Sequence, residues 1–392
     1  MIKKPDVGHF IISGAPLIGE GNIVDSKAIL SVLSGAGILG TGFYPNGPLV
    51  WLGRIFHVRM SMSTGKTMEY ALNSDARRSS FMVRPLQWEL RRAIKKAYED
   101  YPYAICFITS QSMMAEASAE IPGNISTIIA SSDVSGKYTR DSTISDRQKE
   151  ITHLVWNREA FYLYKEILKL NDVHLIRPVD PKHAFKPMGK TDLPFQWALD
   201  EPKLCFIKLS GSGGDPGLVN AAILSLWEKS HVKSIVFPGT EKTQRRLIKT
   251  VNENIKVHSS LDASVFYNHI RVMISHEHML LTCPSEQIKH IAILTQKNIC
   301  PKVVWLPPRG RHEVGNLAWA IQRGYSGTVC IPAAYHSLLK MSLINLGVSP
   351  PLIECVEPEM LSAQHFKPSP VFENEPAAAP LENIIRKVAN AH

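Results

Sequence analysis

The sequence has no cysteine pair at a functional spacing. Cys106, Cys205, Cys283, Cys300, Cys330 and Cys355 form no CxxC and keep no regular interval, which argues against a CxxC-type metal or redox motif and against a disulfide framework. Several fall inside apolar, strand-like runs, so buried, reduced thiols of an intracellular protein are the expectation. An apolar stretch of bilayer length is missing too. The best stretch, residues 28–43, is broken by Ser34, Gly35, Gly37, Gly40 and Gly42, whereas a spanning helix needs about 20 apolar residues. Met1-Ile2-Lys3-Lys4-Pro5-Asp6 leads straight into a strand-like segment without the apolar core of a signal peptide. A cytoplasmic location follows. Basic residues never run five in a row. The pairs Arg77-Arg78, Arg91-Arg92, Lys95-Lys96 and Arg245-Arg246 are spaced like solvated helix faces, and no basic stripe interleaves with aromatics. That argues against a nucleic-acid binder.

What is present is ordinary for a folded chain. The 392 residues, 44% hydrophobic and 20% charged, suffice for two or three domains with cores of their own. Lys plus Arg number 44 against 35 Asp plus Glu, a formal charge of +9, which favours anionic partners such as nucleotides or acidic lipid surfaces.

Apolar runs alternate with helical periodicity along the chain. His9 to Ser13 reads as a strand, Gly14 to Asn22 as a glycine-bearing loop, and Asp25 to Leu33 as a helix with Ala28, Ile29, Val32 and Leu33 on one side. Leu86 to Tyr98 reads as an amphipathic helix. Ala104 to Thr109, Ile125 to Ala130 and Val173 to Ile176 read as further strands. Pro178, Pro181, Pro187, Pro194 and Pro202, with Lys182, Lys186 and Lys190 among them, then interrupt any regular element and read as a linker. The pattern restarts at Leu204 to Leu209, followed by the glycine-rich Ser210 to Gly217 and a helix from Leu218 to Glu228. Strand readings follow at Ser234 to Phe237, Ile255 to Val257, Arg271 to Ser275, Lys302 to Leu306 and Gly327 to Ile331. Helix readings follow at Gln244 to Asn254, Glu286 to Gln296 and Gly315 to Arg323. This rhythm indicates an α/β protein with parallel sheets, built as two Rossmann-like halves that each begin strand, glycine loop, helix. The end is a Pro/Ala/Glu-rich stretch and a terminal helix from Leu381.

Ser210-Gly211-Ser212-Gly213-Gly214 is the strongest local signal. Such a loop lets backbone amides approach an anion at a helix start, or it is a plain tight turn; its pattern lacks the GxGxxG register of dinucleotide sites. Ser63-Thr64-Gly65-Lys66-Thr67 looks like the end of a P-loop, but Met60 stands where the first glycine belongs. Ser285 and Glu286 open a helix and serve either as caps or, for Glu286, as an acceptor for a ribose diol. Arg309, Arg311 and His312 form a local positive cluster. His276, His278 and His312 do not have the fixed spacing of a zinc site, and no metal is expected.

In this order and spacing the residues resemble a family. Lys208 to Gly214, Val272 to His276, Pro284-Ser285-Glu286, and Leu306-Pro307-Pro308 followed by Glu313, Asn316 and Gly324 resemble the nucleotide-sugar domain of GT-B glycosyltransferases. The likeness is to the branch containing the peptidoglycan lipid-intermediate GlcNAc transferase, monogalactosyl-diacylglycerol synthase and UDP-glucuronosyltransferase-like enzymes, and it covers about residues 203–332. More loosely, Ile12-Ser13-Gly14 through Leu33, Ser132-Asp133 and Val179 to Phe185 resemble the acceptor domain. The resemblance implies two Rossmann-like domains whose parallel sheets face each other across a cleft: an acceptor domain over 1–185, a linker over 186–202, a nucleotide-sugar domain over 203–365, and a Pro/Ala-rich tail with a terminal helix over 366–392.

The implied activity is metal-independent transfer of a sugar from a nucleoside diphosphate sugar, with no cofactor beyond that donor. Ser210, Gly211, Ser212, Gly213 and Gly214 would cradle the diphosphate, with Arg309 or His276 adding positive charge. Ser285 and Glu286 would hold the ribose end, Glu313 and Asn316 the sugar, and Gly14 and Asn22 would line the acceptor side. Enzymes of this branch often carry a histidine base where Asn22 stands, and an amide takes no proton. Glu20, Asp25 or Asp133 is left as the catalytic base. The departure keeps two rivals open: a nucleotide-sugar 2-epimerase or hydrolase of the same fold, and a non-catalytic GT-B-like binding protein. The acceptor is a lipid, a saccharide or a small molecule. The basic side of the 86–98 helix, Arg91, Arg92, Lys95 and Lys96, either touches an acidic membrane surface peripherally or is simply solvated.

Overall fold

A computed structural model describes residues 9–14, 21–61, 80–122, 125–131, 134, 146–185, 204–208, 215–232, 234–238, 255–260, 278–285, 287–373 and 375–390. The chain divides into two compact units. Unit 1 comprises Met1–His57, Ala76–Phe185 and Asn374–His392, and unit 2 comprises Val58–Asp75 and Lys186–Glu373.

Unit 1 is built on a parallel sheet of β1 (His9–Ser13), β2 (Gly40–Phe43), β3 (Ala104–Thr109), β4 (Ser126–Ala130), β5 (Thr152–Val155) and β6 (Val173–Leu175). Their order is β2-β1-β3-β4-β5-β6. Phe10, Ile11 and Ile12 of β1 and Phe107 and Ile108 of β3 are completely buried. A strand covered on both faces reads as a continuous apolar run, which is why these strands are visible in the sequence. Helix α1 (Gly21–Gly35) follows β1, and α2 (Pro48–Ser61) follows β2. Helix α3 (Ser80–Asp100) and α4 (Ser112–Ala119) flank β3. Leu90, Ile94 and Ala97 of α3 lie one turn apart and pack with Val50, Phe107, Met114 and Ala117. The Glu89 carboxylate of α3 accepts hydrogen bonds from the Leu49 and Val50 amides at 2.9 and 3.4 Å and so caps the start of α2. The short α5 (Asp146–Lys149) precedes β5, and α6 (Arg158–Tyr162), capped by Asn157, follows it.

The end of the chain belongs to unit 1. Ala379 pairs with Ile176 beside β6, accepting from the Arg177 amide at 2.9 Å and donating to Leu175 O at 3.1 Å. Helix α11 (Leu381–Asn390) buries Leu381, Ile384 and Ile385 and contacts α1, and the Arg386 guanidinium donates to the carbonyl of Ala36 just past the end of α1.

The described residues of unit 2 hold eight strands: β7 (Leu204–Lys208), β8 (Ser234–Pro238), β9 (Lys256–Ser260), β10 (Met279–Thr282), β11 (Lys302–Trp305), β12 (Thr328–Cys330), β13 (Glu354–Val356) and β14 (Lys367–Pro368). The order is β13-β12-β11-β10-β7-β8-β9, all parallel, with β14 antiparallel to β11. Its described helices are α7 (Pro216–Ser230), α8 (Gln287–Thr295), α9 (Arg311–Gln322) and α10 (His336–Asn345). Cys205, Ile207, Leu226, Ile235, Leu281 and Val304 are fully buried in its core. Burial pushes the Cys205 and Cys330 thiols up to about 12, which keeps them protonated, and none of the six cysteines is in a disulfide. The strand ahead of the Pro284-Ser285 turn is β10; the earlier strand reading over 271–275, the 186–202 linker and the 244–254 helix lie outside the described residues.

Because Ile385 is completely buried between α11 and the rest of unit 1, Ile385→Ala should lower stability by about 2–4 kcal/mol in urea denaturation. Leu346→Ala, at a side chain that is half exposed, should cost less than about 0.5 kcal/mol.

Candidate functional site

In an open parallel sheet, ligands bind beyond the carboxyl ends of the strands, where successive connections leave in opposite directions. In unit 2 that point lies between β7 and β10: β8 and β9 extend the sheet to one side of β7, β10 to β13 to the other. The turn leaving β10, Cys283-Pro284-Ser285, enters α8, with Ser285 O accepting from the Ile288 amide at 3.1 Å. Leu306 N donates to Thr282 O at 2.7 Å, which holds the ends of β11 and β10 side by side. From the next helix, α9, the Asn316 amide donates to Pro284 O at 3.2 Å and ties the β10 turn to α9. The Glu313 carboxylate accepts from the Arg309 amide at 2.6 Å and closes the Arg309-Gly310 turn onto the first turn of α9. Glu313 and Asn316 are buried. Thus Ser285, Arg309, Glu313 and Asn316 converge on adjacent turns of one sheet edge.

The starts of α7, α8 and α9 differ. At α7 the Asp215 carboxylate accepts from the Gly217 and Leu218 amides at 3.0 and 3.4 Å. A carboxylate already satisfies the first-turn donors there. At α9 the N-cap is Gly310, which brings no side chain. At α8 the hydroxyl of Ser285 is buried and has no hydrogen-bond partner among the described residues. A buried hydroxyl left unsatisfied costs about 1–3 kcal/mol, so this atom is the expected contact of a bound polar group. The start of a helix favours an anion.

Unit 1 repeats the geometry between β1 and β3. Gly14 leaves β1 so close to α1 that a Cβ built on it would lie 2.5 Å from Asn22 O and 2.8 Å from Ser26 Oγ. The Ser26 hydroxyl lies 2.8 Å from both Ser13 O and Asn22 O. Ser110, at the end of β3, donates to the side-chain oxygen of Asn22 at 3.1 Å. Asp25 is buried one turn along α1 from Asn22, and Ser13, Ser110, Gln111 and Ser131 are also buried. Gly14 and Asn22 are therefore brought together, with Asp25 one turn further along α1; Ser110, a single serine after an apolar strand, carries no signal in the sequence. Glu20, Asp133, Ser210, Gly211, Ser212, Gly213, Gly214, His276 and Glu286 lie outside the described residues. Among the described residues no three His, Cys, Asp or Glu side chains come together as a metal site.

No protein-family model and no curated protein matches the sequence. Solved structures do. MnaA of S. aureus, in a co-structure with UDP, aligns over 92% of this chain and 92% of its own at 13% identity and a TM-score of 0.50. UDP-GlcNAc 2-epimerase from Neisseria meningitidis, bound to UDP-GlcNAc, aligns over 98% and 97% at 12% identity and a TM-score of 0.50. UGT89C1 of Arabidopsis thaliana, complexed with UDP-L-rhamnose, aligns over 81% and 84% at 10% identity and a TM-score of 0.51. At these identities the likeness is one of fold, and the chain has the GT-B fold.

The close approach at Gly14 predicts that Gly14→Ala lowers the thermal midpoint, at a cost of about 1–3 kcal/mol, because the clash is with backbone. Gly35→Ala, where nothing lies within 4 Å of the added Cβ, should be neutral or slightly stabilising. Equal effects of the two in differential scanning calorimetry would contradict the packing described.

Proposed function

We propose that unit 2 binds a nucleoside diphosphate sugar and that the protein transfers the sugar to an acceptor hydroxyl without a metal ion. The observation that carries this is the unsatisfied Ser285 hydroxyl at the start of α8, beside the switch point of the unit 2 sheet. The fold supports it: the GT-B proteins of similar architecture named above are recorded with UDP, UDP-GlcNAc and UDP-L-rhamnose.

In this reading the first-turn amides of α8 and the Ser285 hydroxyl face the diphosphate, and Arg309, on the adjoining turn, adds a full positive charge. The Asp215 carboxylate at α7 repels a phosphate placed on that helix start, which favours α8 over α7 for the diphosphate. Glu286, one residue before α8, accepts from the ribose hydroxyls. Glu313 and Asn316, which tie down the Arg309 and Pro284 turns, contact the sugar. Transfer breaks the bond between the anomeric carbon and the diphosphate oxygen, which leaves with the electron pair, and forms a bond from the acceptor oxygen. The acceptor's proton passes to a carboxylate. Asp25 is our choice among Glu20, Asp25 and Asp133, because it shares a helix face with Asn22 at the crevice end of unit 1.

One observation favours a second reading. Asn22 accepts a hydrogen bond from Ser110 and takes no proton, so the crevice of unit 1 lacks a histidine base at that place. A 2-epimerase or hydrolase acting on the nucleotide sugar alone needs no acceptor site there.

Isothermal titration with UDP, GDP and dTDP tests the shared premise. One of them should bind, and Ser285→Ala should weaken it about tenfold or more, while Glu286→Ala should abolish binding with the fold intact. No binding of any of them at millimolar concentration would sink both readings. Incubating the preferred nucleotide sugar without acceptor then separates them: the transferase leaves it unchanged, and the epimerase or hydrolase turns it over.

A further inference from the structure

Lys289 stands where two elementary effects oppose a lysine. It lies in the first turn of α8, and the start of a helix carries a partial positive charge that repels a cation. It is also only 4% exposed, and taking an ammonium out of water is costly unless an anion meets it. The starts of α7 and α9 carry acids instead: Asp215 caps α7, and Glu313 sits in the first turn of α9. Both carboxylates accept from backbone amides, those of Gly217 and Leu218 and that of Arg309. Lys289 has an interaction of its own within the protein, so its charge is held in place rather than loose. A second observation lies one turn back. The Ile288 amide donates to Ser285 O at 3.1 Å, so the chain is wound from Ser285 onward. Residues four apart share a side of a helix, and a helical side chain leans over the turn before its own. The stem of Lys289 therefore runs toward the Ser285 hydroxyl, which is 3% exposed and has no hydrogen-bond partner among the described residues.

Resting on the nucleotide-sugar reading above, we infer that Lys289 binds the second phosphate of the nucleotide and makes unit 2 select diphosphates over monophosphates. One phosphate takes the first-turn amides of α8 and the Ser285 hydroxyl. The other takes the ammonium, a compact point charge that accepts a phosphate oxygen from any direction. A monophosphate satisfies the hydroxyl and the amides and leaves the ammonium without its anion. A neutral sugar offers the ammonium nothing, and a nucleic-acid backbone does not reach a side chain enclosed to this degree. The same contact strengthens as the sugar leaves. The electron pair of the broken bond stays on the diphosphate, which gains one negative charge, so Lys289 holds the free nucleoside diphosphate more tightly than the nucleotide sugar.

The test titrates the full-length chain with whichever of UDP, GDP and dTDP it binds, and with the corresponding monophosphate. Lys289→Gln and Lys289→Met should each weaken the diphosphate about tenfold or more and the monophosphate less than about threefold. Lys289→Arg, which keeps the charge, should keep the parent's preference for the diphosphate. Without ligand, the Gln and Met variants should melt at or above the parent's midpoint, because a buried cation at a helix start has been removed. A lysine that serves only to pair with the carboxylate of Glu286, three residues before it, would behave otherwise: its removal would lower the midpoint and weaken both nucleotides alike. Either of those results overturns the inference, as does a Gln or Met variant that binds the diphosphate like the parent. If the parent binds none of the three diphosphates, the nucleotide-sugar reading itself falls; if the parent binds and the variants match it, only the role of Lys289 does.

Discussion

A parallel sheet delivers every strand to the same edge and sends a helix back from it, so loops and helix starts collect at the carboxyl ends. In both units the chain then departs from one central strand, β1 or β7, in opposite directions. That single topological constraint opens a crevice beside β1 and another beside β7; Asn22 and Ser110 stand at the first and Ser285 at the second. Nothing in the residues individually would gather Ser285 with Asn316, or Asn22 with Ser110; the crossing of the connections does so.

At the edge of unit 2 the starts of α7, α8 and α9 share the same backbone dipole but differ in how their donors are occupied. Asp215 spends a carboxylate on the first amides of α7. Glu313 reaches back to the Arg309 amide and makes the α9 turn rigid. Only at α8 does a buried hydroxyl lack a partner among the described residues. The distinction matters because an anion competes for a helix start with whatever already caps it. A glycine loop alone, however suggestive, does not reveal whether its own helix is available.

Much of the fold was legible. Strands buried on both faces carry apolar runs that no loop imitates, so β1, β3, β4, β7 and β11 are visible as composition. Helix α3 is visible because its inward row repeats every turn. Strand β10 was not: four residues, Met279–Thr282, follow the polar His276-Glu277-His278, and the strand reading fell on the residues before them. Short β2 escaped as well, since Gly40 and Gly42 lower its apparent β-propensity. Among the candidate residues, Gly14, Asn22, Ser285, Arg309, Glu313 and Asn316 stand out by motif order, whereas Ser110 carries no signal in the sequence. Its contact with Asn22 comes from the register that sets Ser13 beside Thr109, a relation between strands separated by nearly a hundred residues.

By itself the sequence determined the class of protein: an α/β chain of two sheet-based halves, with helices starting after glycine- and proline-bearing turns, because periodicity and turn chemistry are local properties. It also determined the excess of positive charge. Only the tertiary structure decided which polar groups are satisfied and which are waiting, that the last helix returns to unit 1, and that Trp51 and Trp88 stay outside. Burial and hydrogen-bond partnership arise between residues far apart in the chain, and no local pattern encodes them.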